Sequence, residues 1–317
     1  MIEISHLIKK YGGHTAVDDL SLTVEPGRIY GFLGPNGAGK STTLNIVTGY
    51  LGATGGEVKI NGFDIFKQPE EAKKHIGYLP EVPPLYMDMG VEEYLCFAAE
   101  LKAIEKTRRR QYIQEAMELT QITDMGKRLI RNLSKGYRQR VGLAQAILGY
   151  PEVIILDEPT VGLDPRQIME IRELIKKLGE HHTVILSSHI LSEVREVCDY
   201  IYILSKGKLV AGDTTENLLR QVESENHKLE LIVEGNGEDA ASLLAQFEGA
   251  KQISARPGIQ EHTTELTCIA EKETDIRGRV IRAFVEADIP LLELKSAGRT
   301  LEDIFLELTE QKGGLPS

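Results

Sequence analysis

The 317-residue chain has no tryptophan and only three cysteines, Cys96, Cys198 and Cys268. Odd in number and widely spaced, they make neither a disulfide framework nor a zinc site. Each stands in apolar surroundings, so all three are expected to be buried small hydrophobes. Long hydrophobic runs are also missing. The longest are of strand length, which excludes a membrane-spanning helix, and the opening MIEISHLIKK lacks the apolar core of a signal peptide. These absences are those expected of a cytosolic protein. Basic residues are outnumbered, 37 Lys and Arg against 48 Asp and Glu, for a formal charge of −11. That balance argues against non-specific nucleic-acid binding, which needs a basic face. The only local basic cluster, Thr107 to Arg110, is accounted for equally by a small patch and by a solvated helix face. With 41% hydrophobic and 27% charged residues, the composition is that of a globular protein with room for one large domain or two ordinary ones.

The densest motif is Gly34 to Ser41, GPNGAGKS, preceded by the apolar IYGFL and followed by TTLNIVTG, a helical stretch that Gly49 can end. A strand, a glycine-rich turn and a helix start together form a phosphate cradle. Gly34, Gly37 and Gly39 permit backbone angles that let successive N–H groups converge on one anion, and the helix N-terminus adds its free N–H groups. Lys40 is then placed for the β- and γ-phosphates, and the Ser41 hydroxyl for Mg²⁺. The motif points to a nucleoside-triphosphate site.

Before this loop, Ile2 and Ile4, then Leu20, Leu22 and Val24, alternate as in strands closed by the Pro26-Gly27 turn. Tyr11, beside Gly12-Gly13, is either a stacking surface for a base or a half-buried tyrosine at a turn. After the first helix, GGEVKINGFDI predicts a hairpin through Asn61-Gly62. HIGYLP predicts another strand, ending at Glu81 and a proline-broken loop. From about residue 91 to 150 the apolar positions fall three and four apart with no strand signal, which marks a helical block inserted in an α/β framework. In LSKGYRQRVGLAQAILGYP, Ser134 is a good helix cap and Gly136 allows an anion close to the backbone, although a capped helix alone is ordinary. VIILDEPT predicts a buried strand ending in Asp157 and Glu158. Because side chains alternate along a strand, the two acids are expected to face opposite ways and do different work, one holding Mg²⁺ and the other orienting water. Asp164 and Pro165 start the next helix as cap and first residue, with Ile168, Ile171, Leu174, Ile175 and Leu178 as its core face. TVILSSH is a further buried strand with His189 at its end. The His181-His182 pair is expected at the surface.

The first unit ends near Asp213, and TTENLLRQVESENH is a polar connector. The pattern then restarts as β-α-β-β-α-β, the ferredoxin-like arrangement, with Ile276, Val280, Phe284 and Val285 on one side of its second helix. A last amphipathic helix is expected in TLEDIFLELTEQ. This C-terminal part carries no catalytic constellation.

Taken together, the motifs resemble those of the ATP-binding subunits of ABC transporters, from Met1 to about Asp213. GPNGAGKST, with Gly34, Pro35, Asn36, Gly37, Ala38, Gly39, Lys40, Ser41 and Thr42, is similar to the Walker A motif. LSKGYRQR resembles the family signature, VIILDE the Walker B motif, Gly162 to Asp164 the D-loop, and Ser188-His189 the switch histidine. Tyr11 falls where the family has its adenine-stacking aromatic. The resemblance implies an α/β P-loop ATPase of ABC type with a helical subdomain at about 81–150, spanning residues 1–220; the pattern beyond it predicts a small ferredoxin-like α+β accessory domain over 221–317. It further implies ATP and Mg²⁺ as ligands, with Ser41, Asp157 and Glu81 at the metal. Glu158 would be the general base and His189 the γ-phosphate contact. Two copies would pair head to tail, Ser134 and Gly136 of one closing on the phosphates held by the other. A separate membrane permease would dock on the cytoplasmic face, and no nucleic-acid partner is implied. Glu81 replaces the family's usual glutamine, and Lys135, Tyr137 and Arg138 depart from the usual signature. The appended domain and the LPEVPPLY loop are similar to those of exporters. Related ABC ATPases that act on DNA carry longer coiled-coil insertions, and those on ribosomes usually carry two ATPase units. A P-loop kinase would have no use for the signature or Ser188-His189.

Overall fold

The computed structural model describes residues 1–218, 227–235, 237–247, 250–260, 262–270 and 276–297. They fall into two compact units, one over Met1–Thr215 and the other within 216–308. Most of the polar connector, and the helix expected in TLEDIFLELTEQ, lie outside the described residues.

In the first unit, alternating apolar residues make β1 (Ile2–Tyr11) and β2 (His14–Val24). With β4 (Gly55–Ile60) and β5 (Phe63–Asp64) they form an antiparallel sheet in the order β2-β1-β4-β5. The predicted hairpin is present: Ile60 pairs with Phe63, and Asn61 and Gly62 take φ of 49° and 85°, the left-handed pair that a tight two-residue turn requires. A second sheet is built on β3 (Ile29–Leu33), whose five residues are all buried. It runs parallel to β8 (Thr183–Ser188) on one side and to β9 (Tyr200–Ser205) on the other. Beyond β8 lie β7 (Val153–Leu156) and β6 (Ile76–Leu79), also parallel, and β10 (Lys208–Thr214) closes the other edge antiparallel. Continuous apolar strands such as VIIL need cover on both faces. One face receives α1 (Lys40–Val47) and the first sheet, since Leu44, Ile46 and Val47 share a core with Ile2, Val17, Phe32, Val58 and Ile155.

The other face is covered by helices. On α6 (Pro165–Gly179), Ile171, Leu174, Ile175 and Leu178 are buried. Each such side chain is worth roughly 1.5–3 kcal/mol when fully buried. The helix α7 (Leu191–Val197) lies so close to β3 that a Cβ on Gly31 would sit 2.2 Å from the Val194 side chain. The helical block consists of α3 (Val91–Leu101), α4 (Lys106–Leu119) and α5 (Lys135–Ile147). Arg140 of α5 is buried and reaches Glu170 of α6 at 2.5 Å, which ties the block to the sheet layer. The short helix α2 (Pro69–Lys74) precedes β6. No helix among the described residues is long and apolar enough to cross a membrane.

In the second unit, β11 (His227–Glu234), β12 (Ala250–Pro257), β13 (Thr263–Ala270) and β14 (Leu291–Ala297) form an antiparallel sheet in the order β12-β13-β11-β14. The helices α8 (Gly237–Leu244) and α9 (Arg277–Glu286) complete a β-α-β-β-α-β order, and its core includes Leu229, Leu231, Val233, Leu266, Val280 and Phe284.

Three expectations about burial are corrected. Cys96 is exposed, because α3 buries Val91, Tyr94, Leu95, Ala98 and Ala99 and Cys96 falls off that stripe. Val285 is exposed, since the α9 stripe runs through Ile276, Val280 and Phe284, one turn apart, and Val285 projects away from it. His182 is buried rather than superficial: its ring stacks on Tyr150 and Nδ1 lies 2.7 Å from the Pro151 carbonyl, with burial holding its pKa below the ordinary value. The basic cluster is partly neutralised, Arg109 bonding to the Ile104 carbonyl and Glu100, and Arg108 pairing with Glu105 at 3.7 Å.

The cysteine arrangement predicts that native protein treated with an alkylating reagent is modified at Cys96, while Cys198 and Cys268, both buried, react only after denaturation. Peptide mass spectrometry separates the three. Rapid native labelling of Cys198 or Cys268 would contradict this packing.

Candidate phosphate-binding site

The site forms where β3, β7 and β8 end on the same edge of the parallel sheet. Such an edge, beyond the carboxyl ends of the strands, is where open α/β sheets bind ligands. Beyond Leu33 the chain turns through Gly34–Gly39, and α1 starts at Lys40. Gly39 caps that helix with φ of 95° and no side-chain acceptor, so the first N–H groups of α1 are left for an anion. A Cβ there would lie 2.5 Å from the Ala16 carbonyl, and only glycine fits. Buried Lys40 donates to the carbonyls of Gly34 (2.7 Å) and Pro35 (3.3 Å), and its Nζ is 3.5 Å from Glu158 Oε1.

The two acids after β7 do not alternate as strand residues. β7 ends at Leu156, and Glu158 has a φ of 48°, so a turn rather than the pleat separates them. Their partners still differ. Asp157 Oδ1 accepts from Ser41 Oγ (3.0 Å) and Ser187 Oγ (2.6 Å). Glu158 faces Lys40 through Oε1 and the His189 ring through Oε2, 3.0 Å from Nδ1. Ser187 belongs to none of the sequence motifs, yet its hydroxyl also receives the Glu158 N–H at 2.9 Å. The legible signal was a pair of serines ending an otherwise apolar strand.

Asn36 to Thr42, Glu81, Glu158, Val161 and His189 line one cleft of about 490 Å³. Gly34 and Pro35 lie beneath it as acceptors of Lys40. Ser134 caps α5, accepting from the Tyr137 N–H at 3.4 Å, and Asp164 caps α6, accepting from Gln167 at 2.9 Å. Neither lines the cleft of its own chain, nor does Gly136, where a Cβ would meet the Gln167 side chain at 2.7 Å. Tyr11 is not among the residues lining the cleft; it is about half exposed, with the Lys9 ammonium 5.0 Å from its ring centroid.

The oxygens of Ser41 and Asp157 are hard donors 3.0 Å apart at the mouth of an anion cradle. That donor set fits Mg²⁺, which takes one or two protein oxygens and completes its shell with water and phosphate. Among the described residues no cluster of three His, Cys, Asp or Glu side chains forms a separate metal cage.

Burial raises the Asp157 carboxyl above its ordinary pKa. Hydrogen bonds from Ser187 and Ser41 oppose the shift, the Glu158 charge adds to it, and Lys40 opposes it. With the folded pKa above the unfolded one, the folded state holds its proton more tightly. The resulting stabilisation is complete below the unfolded pKa and lost as pH rises through the folded one. Asp157→Asn keeps an oxygen for both serines without the buried charge. It should raise the melting temperature of nucleotide-free protein at pH 7, by an amount that shrinks toward pH 4. An unchanged or lower melting temperature at pH 7 would contradict this.

The family model described as ABC transporter matches residues 17–161. The chain is 39% identical over 312 residues, 98% of its own length and 96% of the relative's, to the uncharacterized ABC transporter ATP-binding protein YhcH of Bacillus subtilis. It is 34% identical to the bacitracin transport ATP-binding protein BcrA of Bacillus licheniformis, covering 97% of each chain. Among solved structures it is similar to the dimeric post-hydrolysis state of the ATP-binding cassette MJ0796 bound to ADP and Pi. That likeness has a TM-score of 0.62 at 26% identity and covers 68% of this chain and 99% of that one.

Proposed function

The chain belongs to the ATP-binding proteins of ABC transporters, and from that premise we propose how its residues bind ATP, hydrolyse it and pass the resulting motion to a membrane partner. It is the ATP-hydrolysing subunit of such a transporter. The observation that carries the residue assignments is the meeting of Lys40, Glu158 and His189 in one cleft at the phosphate loop.

The backbone of Gly34–Gly39 and the start of α1 cradle the phosphates, Lys40 turns from the Gly34 and Pro35 carbonyls to the β- and γ-phosphates, and Tyr11 stacks on adenine. Ser41 and Asp157, with Glu81 of the same cleft, would hold Mg²⁺, which would offset charge on the phosphate oxygens. Glu158, freed from Lys40, accepts a proton from the attacking water, and His189 contacts the γ-phosphate. The phosphate-transfer barrier is lowered mainly by this positioning and charge placement. Ser134, Gly136 and Asp164 complete the opposite site in a head-to-tail homodimer. Their place outside their own cleft supports that reading, as does the dimeric cassette to which the chain is similar. The catalytic unit spans residues 1–220, and 221–317 form the accessory domain.

The permease docks near the loop after Glu81, where Val82 and Tyr86 are exposed beside Asp88. In this reading the protein sits on the cytoplasmic face of the membrane. Export is the favoured direction, supported by the appended domain and by the likeness to a bacitracin transport protein over both chains' lengths. The relatives described above give no support to a role on ribosomes or DNA.

Glu158→Gln keeps the side-chain shape and removes the base, which should slow hydrolysis by roughly 10²–10⁴-fold. ATP then stays between two copies, so the variant with ATP and Mg²⁺ should elute as a dimer in size exclusion, and an added Ser134→Arg should abolish that dimer. Hydrolysis at the parent rate would overturn the assignment of Glu158.

A further inference from the structure

Glu193 is buried, with 6% of its surface exposed, on the first turn of α7. A single oxygen, Oε2, accepts from Thr160 Oγ1 at 2.7 Å and from Ser188 Oγ at 3.1 Å. Thr160 lies two residues after Glu158, and Ser188 immediately precedes His189. Ser188 Oγ also accepts from the Ile190 N–H at 3.0 Å, which folds the chain back around His189. On the far side, Glu193 Oε1 lies 3.9 Å from Arg172 Nη2 of α6. The Arg172 Nη1 is 2.5 Å from Glu196, and its Nε is buried without a hydrogen-bond partner.

The contacts close a ring. Glu158 leads through Pro159 to Thr160, Thr160 to Glu193, Glu193 to Ser188, and Ser188 along the chain to His189, which touches Glu158 at 3.0 Å. We propose that Glu193 is a positioning residue for ATP hydrolysis, locking the loop of Glu158 to the loop of His189 so that both face the same phosphate. This rests on the roles given above to Glu158 and His189. A buried carboxylate is costly unless its oxygens are hydrogen-bonded, and here the bonds join two loops of different strands. Cutting the link would let the loops shift independently, and displacement of a catalytic group by about 1 Å can cost about 10²-fold in rate.

The test is steady-state ATP turnover by the full-length chain. Glu193→Ala should lower kcat by about 10²-fold while KM for ATP changes by no more than about threefold, because the phosphate cradle is untouched. Glu193→Gln retains an oxygen for both hydroxyls and should restore most of the turnover. Thr160→Val, which loses the hydroxyl with little change of shape, should reproduce the kcat loss, and it replaces Glu193→Ala if that variant does not fold. Combined with His189→Ala, Glu193→Ala should cost far less than it does alone, since residues acting through one another are not additive. Parent-like kcat in both Glu193→Ala and Thr160→Val, or full additivity with His189→Ala, would overturn the proposal. So would a loss in KM rather than kcat. Glu158→Gln and His189→Ala run alongside: if both turn over ATP at the parent rate, the reading of the site has failed. If both are slow while the Glu193 and Thr160 variants are not, only the positioning role has.

Discussion

The phosphate-loop cleft is organised around one lysine held against one carboxylate in a place that water barely reaches. The Lys40 and Glu158 side chains are 6% and 9% exposed, with 3.5 Å between Nζ and Oε1. Removing two charges from water costs several kcal/mol each, and their attraction rarely returns more than it costs. Such a pair is weak evidence for stability. It makes sense in a site built to receive a polyanion: on the roles proposed above, the lysine exchanges a carboxylate and two carbonyls for phosphate oxygens and the carboxylate is released to act on water.

Topology makes that exchange possible. Parallel strands bring the ends of β3, β7 and β8 to one edge of the sheet, and the three turns beyond them supply cation, acids and histidine. The phosphate loop is fixed because α1 is buried between two sheets, through Leu44, Ile46 and Val47, and cannot shift without disturbing both. Interiors packed to this density transmit strain rather than absorb it. The hydroxyls of Ser41 and Ser187 meet on one oxygen of Asp157, so the cradle and the third strand are coupled through a buried acid.

Features that depend on local chemistry were legible in the sequence. Gly39 and Lys40, the Asn61-Gly62 turn, the Ser134 and Asp164 caps, and the order of elements along the C-terminal unit all follow from rules that operate over a few residues. What escaped depended on where neighbours lie in space. Cys96 stands between Leu95 and Phe97, and Val285 follows Phe284, yet both fall off their helix stripes, and His182 is covered by Tyr150, a residue of a separate loop. The turn at Glu158 could not be read from VIILDE, because the strand ends one residue before the acids and a left-handed glutamate is uncommon. Ser187 and Glu193 acquire meaning only once β7, β8 and α7 are side by side. The second unit contributes a folded core, and a fold by itself carries no function.

The central claim is that triphosphate binding breaks the Lys40–Glu158 pair. Its most direct measurement is calorimetric titration of a non-hydrolysable ATP analogue with Mg²⁺, in a Ser134→Arg background so that subunit pairing does not contribute. Neutralising Glu158 as Gln frees Lys40 in advance and removes a negative charge facing the γ-phosphate. The variant should therefore bind the analogue more tightly than the same protein with Glu158 intact. Equal or weaker binding would show that the pair is not the constraint that nucleotide has to break.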